Sequence, residues 1–509
     1  MSDSSVTEPR RVLVVSDMHL GRDCNTITGF LSRRPNPEFD QAFIDLVELY
    51  TAGEEAQWRI VFAGDFIDFV EVVVQPDTQD PLHLSFEVNK EELSYGLGTE
   101  SERSAVKLEA TMAYHHQFFR RVADFVAKGG EIVVLRGNHD AELYWDKVQT
   151  VFRRTLADLA FEKKRLDVDE AIEIRNDYQT RIQFAPWCYI EPGRLYIEHG
   201  HQYDAYCSFD KQLHPVSPTN PRRIDTPLFM FAMRYFVNVM TDFNPHHAGL
   251  WTARDYFAWL RNKGPGGAFY VLRMGVTAIG RALWYAAQFV GGRVGVYAHE
   301  HHKKLIEEAA RFGVPADKLI QIDNLHYTPV TRNLSELARL LFVDRLLLIF
   351  VSLMVCFFVL LVMTSVWWEL LFIAMTGLIA YQVNRSLAPR RFLLPGPKQA
   401  LAAKTIARIM NVPTVVMGHS HARRVVHLGD GRTYFNTGSW LPPSEGEGHV
   451  DPAKPCTCRL SHLVIDKEAE LRIFCQAAKT VRQADAQTER VTLSEGTAGL
   501  PPGADLVVR

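Results

Sequence analysis

Short apolar runs that end in polar residues recur along the chain. Arg11 to Ser16 (RVLVVS), Arg59 to Ala63 (RIVFA) and Ile132 to Leu135 (IVVL) each have the length and composition of a buried strand. Arg194 to Glu198 (RLYIE) and Thr414 to Met417 (TVVM) repeat the pattern further along. These runs predict the central strands of a sheet.

Helical periodicity fills the spaces between the first of these runs. Glu38 to Tyr50 repeats its apolar residues at helical spacing, and Val106 to Lys128 predicts one long amphipathic helix. The alternation of strand and helix predicts an α/β layered fold with much parallel pairing. Near the C-terminus, Arg432 to Phe435 and His462 to Phe474 alternate like closing antiparallel strands.

A long insertion separates the fourth apolar run from the fifth. It spans roughly 200 residues, more than a connection can have without structure of its own. Its stretches LFMFAMRYFVNVM and AFYVLRMGVTAIGRALWYAAQFV mix apolar residues with single arginines. They predict either amphipathic helices at a membrane surface or a helical subdomain with an ordinary core. Gln75 to Ser104 predicts an irregular loop, and the polar residues after Ala477 predict a flexible tail.

The segment from Leu346 to Tyr381 breaks the soluble pattern, because Glu369 is its only charge. A bilayer span needs roughly 20 apolar residues, so this run is long enough for two short spans. Trp367-Trp368 lies where the hairpin would turn, at the depth that tryptophan favours. Arginines flank both ends and predict that the rest of the chain lies on the cytoplasmic side. The alternative is a buried hairpin in the core of a soluble protein.

The amino-acid composition and net charge of the chain limit the classes of function that fit it. Of the 509 residues, 47% are hydrophobic and 23% are charged, which fits a chain with a large core. A net charge of −3 gives no sign of nucleic-acid binding. Seven scattered cysteines predict a reducing compartment rather than a disulfide framework.

Polar side chains that bind metals follow each predicted buried strand. The groups are Asp17-Met18-His19, Gly64-Asp65-Phe66-Ile67-Asp68, Gly137-Asn138-His139-Asp140, His199 and Gly418-His419-Ser420-His421. All of them stand at the C-terminal ends of strands, the edge at which open α/β sheets bind ligands. Carboxylate, imidazole and amide oxygen, without cysteine, suit a borderline-to-hard divalent cation.

This pattern resembles the calcineurin-like metallophosphoesterase superfamily, whose blocks D-x-H, G-D-x-x-D, G-N-H-[DE], a lone His and G-H-x-H occur here in the same order. The placement of the insertion is similar to that in UDP-diacylglucosamine pyrophosphatases. The resemblance covers the two flanks of the chain and implies a layered β-sandwich flanked by helices. The apolar run adds a helical, partly transmembrane insertion. The chain is thereby divided into a first core part (1–205), the insertion (206–410) with its hydrophobic hairpin (346–382), a second core part (411–476) and the tail (477–509).

The resemblance also implies two divalent metal ions, manganese in the first place and iron or zinc as alternatives. By block, it assigns Asp17, His19 and His421 to the first ion, Asn138, His199 and His419 to the second, and Asp65 to both. A hydroxide held by the two ions would attack phosphorus. His139 would stabilise the transition state or protonate the leaving oxygen, and Asp140 would orient its imidazole.

The remaining histidines near these blocks have no assigned role. His201 stands where several relatives carry aspartate, which leaves its function open. His299, His301 and His302 could form an extra metal site or a solvated face.

Together these features predict a membrane-associated hydrolase whose catalytic domain lies on the cytoplasmic side. Its partners would be the membrane and a phosphorylated small-molecule or lipid substrate, such as a phosphoester or pyrophosphate of a nucleotide-lipid. Three alternatives are a tethered phosphodiesterase or protein phosphatase acting on a soluble substrate, a non-catalytic scaffold, and a membrane receptor that senses a phosphorylated ligand.

Overall fold

Two β-sheets face each other in the computed structural model of the chain. The structure describes residues 9–21, 37–71, 84–162, 168–240, 253–290, 297–387, 395–440, 460–475, 479–483 and 487–489. Elements are named here in chain order within these residues.

The first sheet has seven strands, and its centre is parallel. From edge to edge the strands are β14 (Thr480–Gln483), β13 (Ala469–Cys475), β12 (Leu460–Ile465), β1 (Arg11–Val15), β2 (Trp58–Ala63), β3 (Glu131–Leu135) and β4 (Ile182–Ala185). Strands β1 to β4 run parallel, and β12 pairs antiparallel with β1. The buried strands predicted at positions 11, 59 and 132 are therefore neighbours, and their carboxyl ends meet at one edge.

The second sheet has six strands and contributes the other half of that edge. In order they are β15 (Gln487–Glu489), β10 (Arg424–Gly429), β11 (Arg432–Asn436), β9 (Thr414–Met417), β6 (Leu195–Glu198) and β5 (Cys188–Glu191). Strand β9 pairs in parallel with β6 although the insertion separates the two in sequence. A separate antiparallel pair consists of β7 (Val216–Ser217) and β8 (Asn220–Ile224).

Apolar side chains from both sheets interdigitate in the middle layer. Val14, Val61 and Val133 of the first sheet belong to one buried cluster with Ile197 and Val416 of the second. Alternate residues of the first sheet face outward and pack against helices, as the period of two in a strand requires. The layered α/β sandwich predicted from the sequence is confirmed.

Helices cover both outer faces of the sandwich. The first sheet is covered by α1 (Pro37–Thr51), α3 (Ser101–Tyr114), α4 (His116–Ala127), α5 (Asp146–Phe161) and α6 (Val168–Thr180). The short helix α2 (Lys90–Tyr95) precedes α3. The insertion and the segment after it contain α7 (Leu228–Tyr235), α8 (Ala253–Asn262), α9 (Gly264–Ala287), α10 (Ala298–Arg311), α11 (Ala316–Asp323), α12 (Leu334–Leu340), α13 (Val343–Val362), α14 (Val366–Leu387) and α15 (Pro395–Met410). Helices α10, α11 and α15 pack on the second sheet.

The single helix predicted from Val106 to Lys128 is two helices, α3 and α4, which break at His115. The buried His115 ring lies 2.9 Å from the carboxylate of Asp40, and its Nε2 lies 3.2 Å from the Gly21 carbonyl oxygen. This contact draws the backbone at His115 out of helical geometry (φ −94°, ψ 37°). The helical periodicity of the sequence continues across His115, so this pattern could not indicate the break between α3 and α4.

Two further predictions are corrected at particular residues. The loop predicted from Gln75 to Ser104 contains α2 and the start of α3, while 72–83 lie outside the described residues. The tail predicted after Ala477 contributes β14 and β15, each of which extends one of the two sheets. Among the cysteines, Cys188, Cys207 and Cys356 are free, whereas Cys475 at the end of β13 is disulfide-bonded.

The predicted hydrophobic hairpin consists of α13 and α14, which pack against each other. Both helices are long and apolar enough to cross a membrane, and their large side chains are mostly exposed. The alternative of a buried core hairpin is therefore contradicted. The turn falls at 363–365, so Trp367 and Trp368 lie in the first turn of α14 rather than in the connection.

Candidate metal centre

The seven predicted metal ligands lie together at the carboxyl ends of strands from both sheets. Asp17 and His19 follow β1, Asp65 follows β2, Asn138 follows β3, His199 follows β6, and His419 and His421 follow β9. The contacts among these residues define two clusters, and Asp65 contacts residues of both.

The first cluster contains Asp17, His19 and His421, whose ligating atoms lie within 4.8 Å of one another. His421 Nε2 is 3.1 Å from His19 Nε2 and 3.2 Å from Asp17 Oδ1. Burial by itself would raise the pKa of Asp17, but His421 and His199 hold that pKa below its usual value. The cluster therefore offers one carboxylate and two imidazoles.

The second cluster contains Asp65, His199 and His419, also within 4.8 Å of one another. His199 Nε2 lies 3.1 Å from Asp65 Oδ2 and 3.2 Å from Asn138 Oδ1. The same carboxylate oxygen of Asp65 is 3.9 Å from His19 Nε2 in the first cluster. Asp65 thus belongs to the second cluster and also approaches the first, as a shared ligand would.

The donor set of the second cluster fits a cation. His199 Nδ1 lies 3.0 Å from the Ala63 carbonyl oxygen, which can only accept a hydrogen bond, so Nδ1 carries the proton. Nε2 of a neutral ring then presents a lone pair to two further acceptors, Asp65 Oδ2 and Asn138 Oδ1. Burial opposes a charge on His199, but Asp65 raises its pKa to about 9, so positive charge is favoured at this point. A divalent cation satisfies the same three acceptors.

The backbone at the site is held in an unusual conformation. Asp17, His19, Asp65, His419 and His421 all have positive φ, between 46° and 67°. Such left-handed residues other than glycine cost of order 1–3 kcal/mol each and persist where the surrounding structure over-determines them, often at functional sites. The left-handed conformation changes the direction of the backbone directly after each strand, so that the predicted ligand side chains point toward one another.

Two motif glycines leave space that the carboxylates occupy. A Cβ atom on Gly137 would overlap the Asp65 side chain and backbone nitrogen, and one on Gly418 would overlap Asp17 Oδ2 and the Ser16 side chain. The close approach of ligand to backbone therefore requires glycine at both positions.

Gly137→Ala is expected to lower kcat/KM by about 100-fold, because displacing a catalytic group by about 1 Å can have that effect. The measurement is hydrolysis of a chromogenic phosphoester with Mn²⁺, with circular dichroism to check folding. Gly275→Ala is the matched control, since an added Cβ there meets nothing within 4 Å. Activity of Gly137→Ala equal to that of the control would contradict the tight fit around Asp65.

Asp68, rather than Asp140, holds the imidazole of His139. Asp68 Oδ2 lies 2.9 Å from His139 Nδ1 and 3.1 Å from His19 Nδ1, so one oxygen orients both rings. Asp140 instead accepts hydrogen bonds from the backbone N–H groups of Phe66 (2.9 Å) and Gly137 (2.5 Å). The predicted contact between Asp140 and His139 is corrected: the carboxylate of Asp140 turns back to brace the loops that carry Asp65 and Asn138.

The pKa values of these two carboxyl groups are shifted in opposite directions. Burial and the nearby Asp65 raise the pKa of Asp140 to about 7. Burial would also raise the pKa of Asp68, but His139 and His19 hold it well below its usual value. Burial lowers the pKa of His139, yet Asp68 and Asp65 outweigh it and raise the pKa to about 10. Cations bound beside this ring would reduce that value, because like charges disfavour the protonated form.

One functional contact was not predicted from the sequence. Asp204 Oδ2 lies 3.1 Å from His419 Nε2, and Asp204, Cys207 and His419 form a further group of possible ligands. A carboxylate on a metal-binding imidazole commonly fixes its tautomer and orientation. The sequence holds one indirect signal for it, because His201 stands where several relatives carry aspartate and Asp204 follows three residues later.

The histidines of open role are either buried among other side chains or exposed. His201 is buried between His199 and His419, and burial together with these rings lowers its pKa well below the usual value. His301 is buried with Nε2 3.0 Å from Asp323, and it accepts the Leu213 N–H. His299 and His302 are exposed, so the three residues of this run do not share one site.

The family model for calcineurin-like phosphoesterases matches residues 10–302, more than half of the chain. The chain belongs to this family. It is a metal-dependent phosphoric ester hydrolase, as membership implies. Searches of curated proteins and of solved structures returned no match. The family match ends before His419 and His421, so it is the pairing of β9 with β6 that brings these two residues to the centre of the phosphoesterase.

Proposed function

We propose that the chain is a membrane-anchored phosphoesterase with two metal ions that hydrolyses a phosphoester or pyrophosphate bond of a lipid or nucleotide-lipid substrate. The observation that carries the chemistry is the pair of ligand clusters on either side of Asp65. The observation that supports the membrane is the exposed apolar hairpin in the same chain.

The donor set supports one division of ligands. Asp17, His19 and His421 would hold the first ion, Asn138, His199 and His419 the second, and Asp65 both. When bound, such a pair of divalent ions, with manganese preferred, supplies Lewis-acid polarisation of the phosphoryl oxygens and activation of a water nucleophile. The chain's own part is to fix these seven donors in strained, glycine-lined loops before substrate arrives.

His139 is the proton donor in this mechanism. Its Nδ1 is held by Asp68, so its Nε2 remains to donate a proton to the leaving oxygen. The ring is only slightly exposed, and Phe229 packs against it with 5.0 Å between ring centroids. This packing limits water around the transferring proton and holds the imidazole in one orientation.

The membrane part of the proposal is supported by a second apolar surface beside the hairpin. Phe269, Leu272, Val276 and Trp284 project from one face of α9 and are 61–69% exposed. The nearby Arg261 and Arg273 are also exposed. Exposed apolar side chains with arginines among them are typical of a helix that lies in the headgroup layer of an anionic membrane. Helix α12 packs against both α9 and α13, so this apolar surface and the hairpin are linked.

Deleting 346–381 is expected to release the chain from membranes while the metal centre survives. The full chain should float with phosphatidylglycerol-containing vesicles and resist high-salt extraction, because two helices inserted in the bilayer would anchor it. The deletion variant should be released by salt, since only electrostatic and interfacial contacts remain. Full-length chain that is released by salt as readily as the variant would contradict the anchor.

A comparison of long-chain and short-chain substrates tests whether the proposed substrate is a lipid. A long-chain nucleotide-lipid pyrophosphate presented in vesicles is expected to be hydrolysed with Mn²⁺, and a short-chain analogue far more slowly. Equal kcat/KM for the two substrates would contradict the proposal that the substrate is a lipid, but it would not contradict the phosphoesterase activity.

One observation favours the second candidate, a tethered phosphodiesterase or protein phosphatase with a soluble substrate. Among the described elements, the principal packing partners of the hairpin helices are each other and α12, and none of these helices contains a predicted metal ligand. A tether alone predicts that the deletion variant keeps its full kcat/KM on a soluble ester and on the long-chain substrate in detergent. Loss of the long-chain activity alone would favour the lipid substrate.

A further inference from the structure

A cavity of about 420 Å³ lies between the helical insertion and the loop that precedes α3. Its walls come from α2, the β7–β8 pair, α7 and the C-terminal part of α9. Buried Lys107 and Glu142 line it, with Lys107 Nζ 3.5 Å from Glu142 Oε1. The cavity contains none of the metal ligands proposed above, so it is separate from the catalytic centre.

The cavity adjoins the catalytic centre on the side of His139. Val70 lines the cavity, and its backbone N–H donates to Asp68 Oδ1 at 3.1 Å. Met230 also lines it, and the preceding residue, Phe229, packs on the His139 ring. Two separate segments therefore connect the cavity wall to the Asp68–His139 pair.

The cationic side chains of the cavity are only partly neutralised. Lys107 pairs with Glu142, and Arg223 Nε lies 2.7 Å from Glu100 Oε1. The guanidinium of Arg234 donates to the backbone carbonyl oxygens of Leu97 and Gly96, at 3.0 Å each. Such neutral partners leave its charge uncompensated.

Arg281, which is exposed and lines the cavity, provides the second guanidinium group. Its guanidinium lies over the Tyr235 ring, 5.5 Å from the centroid, and Glu91 is the remaining acidic residue among the described cavity-lining residues. Glu91 in turn accepts from the Tyr235 hydroxyl at 2.5 Å. One carboxylate thus faces two guanidinium groups, and the cavity carries an excess of positive charge.

The charges on the cavity wall decide which kind of ligand fits. Among the described lining residues, four are cationic (Lys107, Arg223, Arg234 and Arg281) and two are acidic (Glu91 and Glu142). Hydrocarbon in the cavity would remove water from these charges without replacing its hydrogen bonds. The chemistry therefore suits a polar, anionic ligand group rather than an acyl chain.

We propose that this cavity binds a second anionic group of the substrate, a phosphate or phosphonate-like group carried on the leaving group. The inference rests on the proposed function, in which His139 protonates the leaving oxygen. A leaving group that receives its proton from His139 lies beside that ring, on which Phe229 packs next to the cavity-lining residue Met230. Arg281 and Arg234 then recognise its anion, and the Tyr95 and Tyr235 rings pack against the part that joins it to the leaving oxygen.

The test compares two aryl phosphates that differ in the leaving group: 4-nitrophenyl phosphate and 4-(phosphonomethyl)phenyl phosphate. Arg281→Gln is expected to raise KM for the phosphonate substrate by about 10- to 100-fold, the value of a charge-assisted hydrogen bond, with kcat nearly unchanged. KM for 4-nitrophenyl phosphate should not change. Arg273→Gln, which removes an exposed arginine of the same helix outside the cavity, should affect neither substrate.

The outcomes separate this inference from the proposed function. If Arg281→Gln behaves like Arg273→Gln on both substrates, or weakens both equally, the cavity does not bind a leaving-group anion. The proposed chemistry would still stand as long as the wild-type chain hydrolyses both esters. If the metal-loaded wild-type chain hydrolyses neither ester nor a pyrophosphate, the proposed function itself fails.

Discussion

Asp65→Asn is expected to lower turnover by at least about 1,000-fold and to leave at most one divalent ion bound per chain. Asp65 Oδ2 adjoins both ligand clusters, so losing its charge weakens both ion sites and the repulsion between two ions is no longer offset. Lewis-acid stabilisation is worth several kcal/mol, and each 1.4 kcal/mol changes the rate about tenfold. The measurements are kcat/KM with Mn²⁺ and metal content.

Asp158→Ala is the matched control, since Asp158 is an exposed aspartate paired with Arg175 on the protein surface. It should retain activity and metal. Asparagine is nearly isosteric with aspartate, so circular dichroism of Asp65→Asn should match the wild type. A variant that keeps both its metals and its turnover would show that Asp65 is not a shared ligand.

His139→Ala is expected to reduce kcat by about 10²- to 10⁴-fold on alkyl phosphoesters while both ions stay bound, because general acid catalysis contributes that much. On 4-nitrophenyl phosphate the loss should be much smaller, since an acidic leaving group departs without a proton. This dependence on the leaving group separates a proton donor from a residue that only supports the loop.

The control is His116→Ala, which removes an exposed imidazole outside the site. Asp68→Asn provides an intermediate case: it should reproduce part of the His139→Ala effect and also weaken metal binding, because Asp68 holds His19 as well. Equal losses of His139→Ala on alkyl and nitrophenyl esters would contradict proton donation.

The strands and the ligand-bearing loops could be predicted because both signals are local. Apolar runs such as RVLVV and TVVM need only a few consecutive residues to be recognised, and the polar residues follow at once. The parallel centre of the first sheet then brings Asp17 and Asp65 to one edge, as the carboxyl ends of parallel strands require.

The contacts between side chains could not be predicted in the same way. Asp140 is adjacent to His139 in sequence, but its carboxylate turns toward the Gly137 N–H of its own loop. Asp68, which belongs to another strand end, takes the imidazole instead. The choice of carboxylate that pairs with an imidazole depends on the directions of side chains on different loops. Adjacency in the sequence does not indicate these directions.

Other features depended on tertiary contacts. His115 interrupts a periodic helix because Asp40 holds its ring, and Thr480–Gln483 is a strand because β13 offers a free edge. Asp204 reaches His419 through the turn after β6. In each case the partner lies far along the chain, so no local pattern could indicate it.

The most direct test of the whole account is the divalent-metal content of the full-length chain. The chain would be purified in detergent, loaded with Mn²⁺, freed of excess ions by gel filtration and measured by plasma mass spectrometry. The account predicts about two equivalents of metal per chain, because two clusters of donors flank Asp65. A folded chain that retains no stoichiometric metal would contradict it.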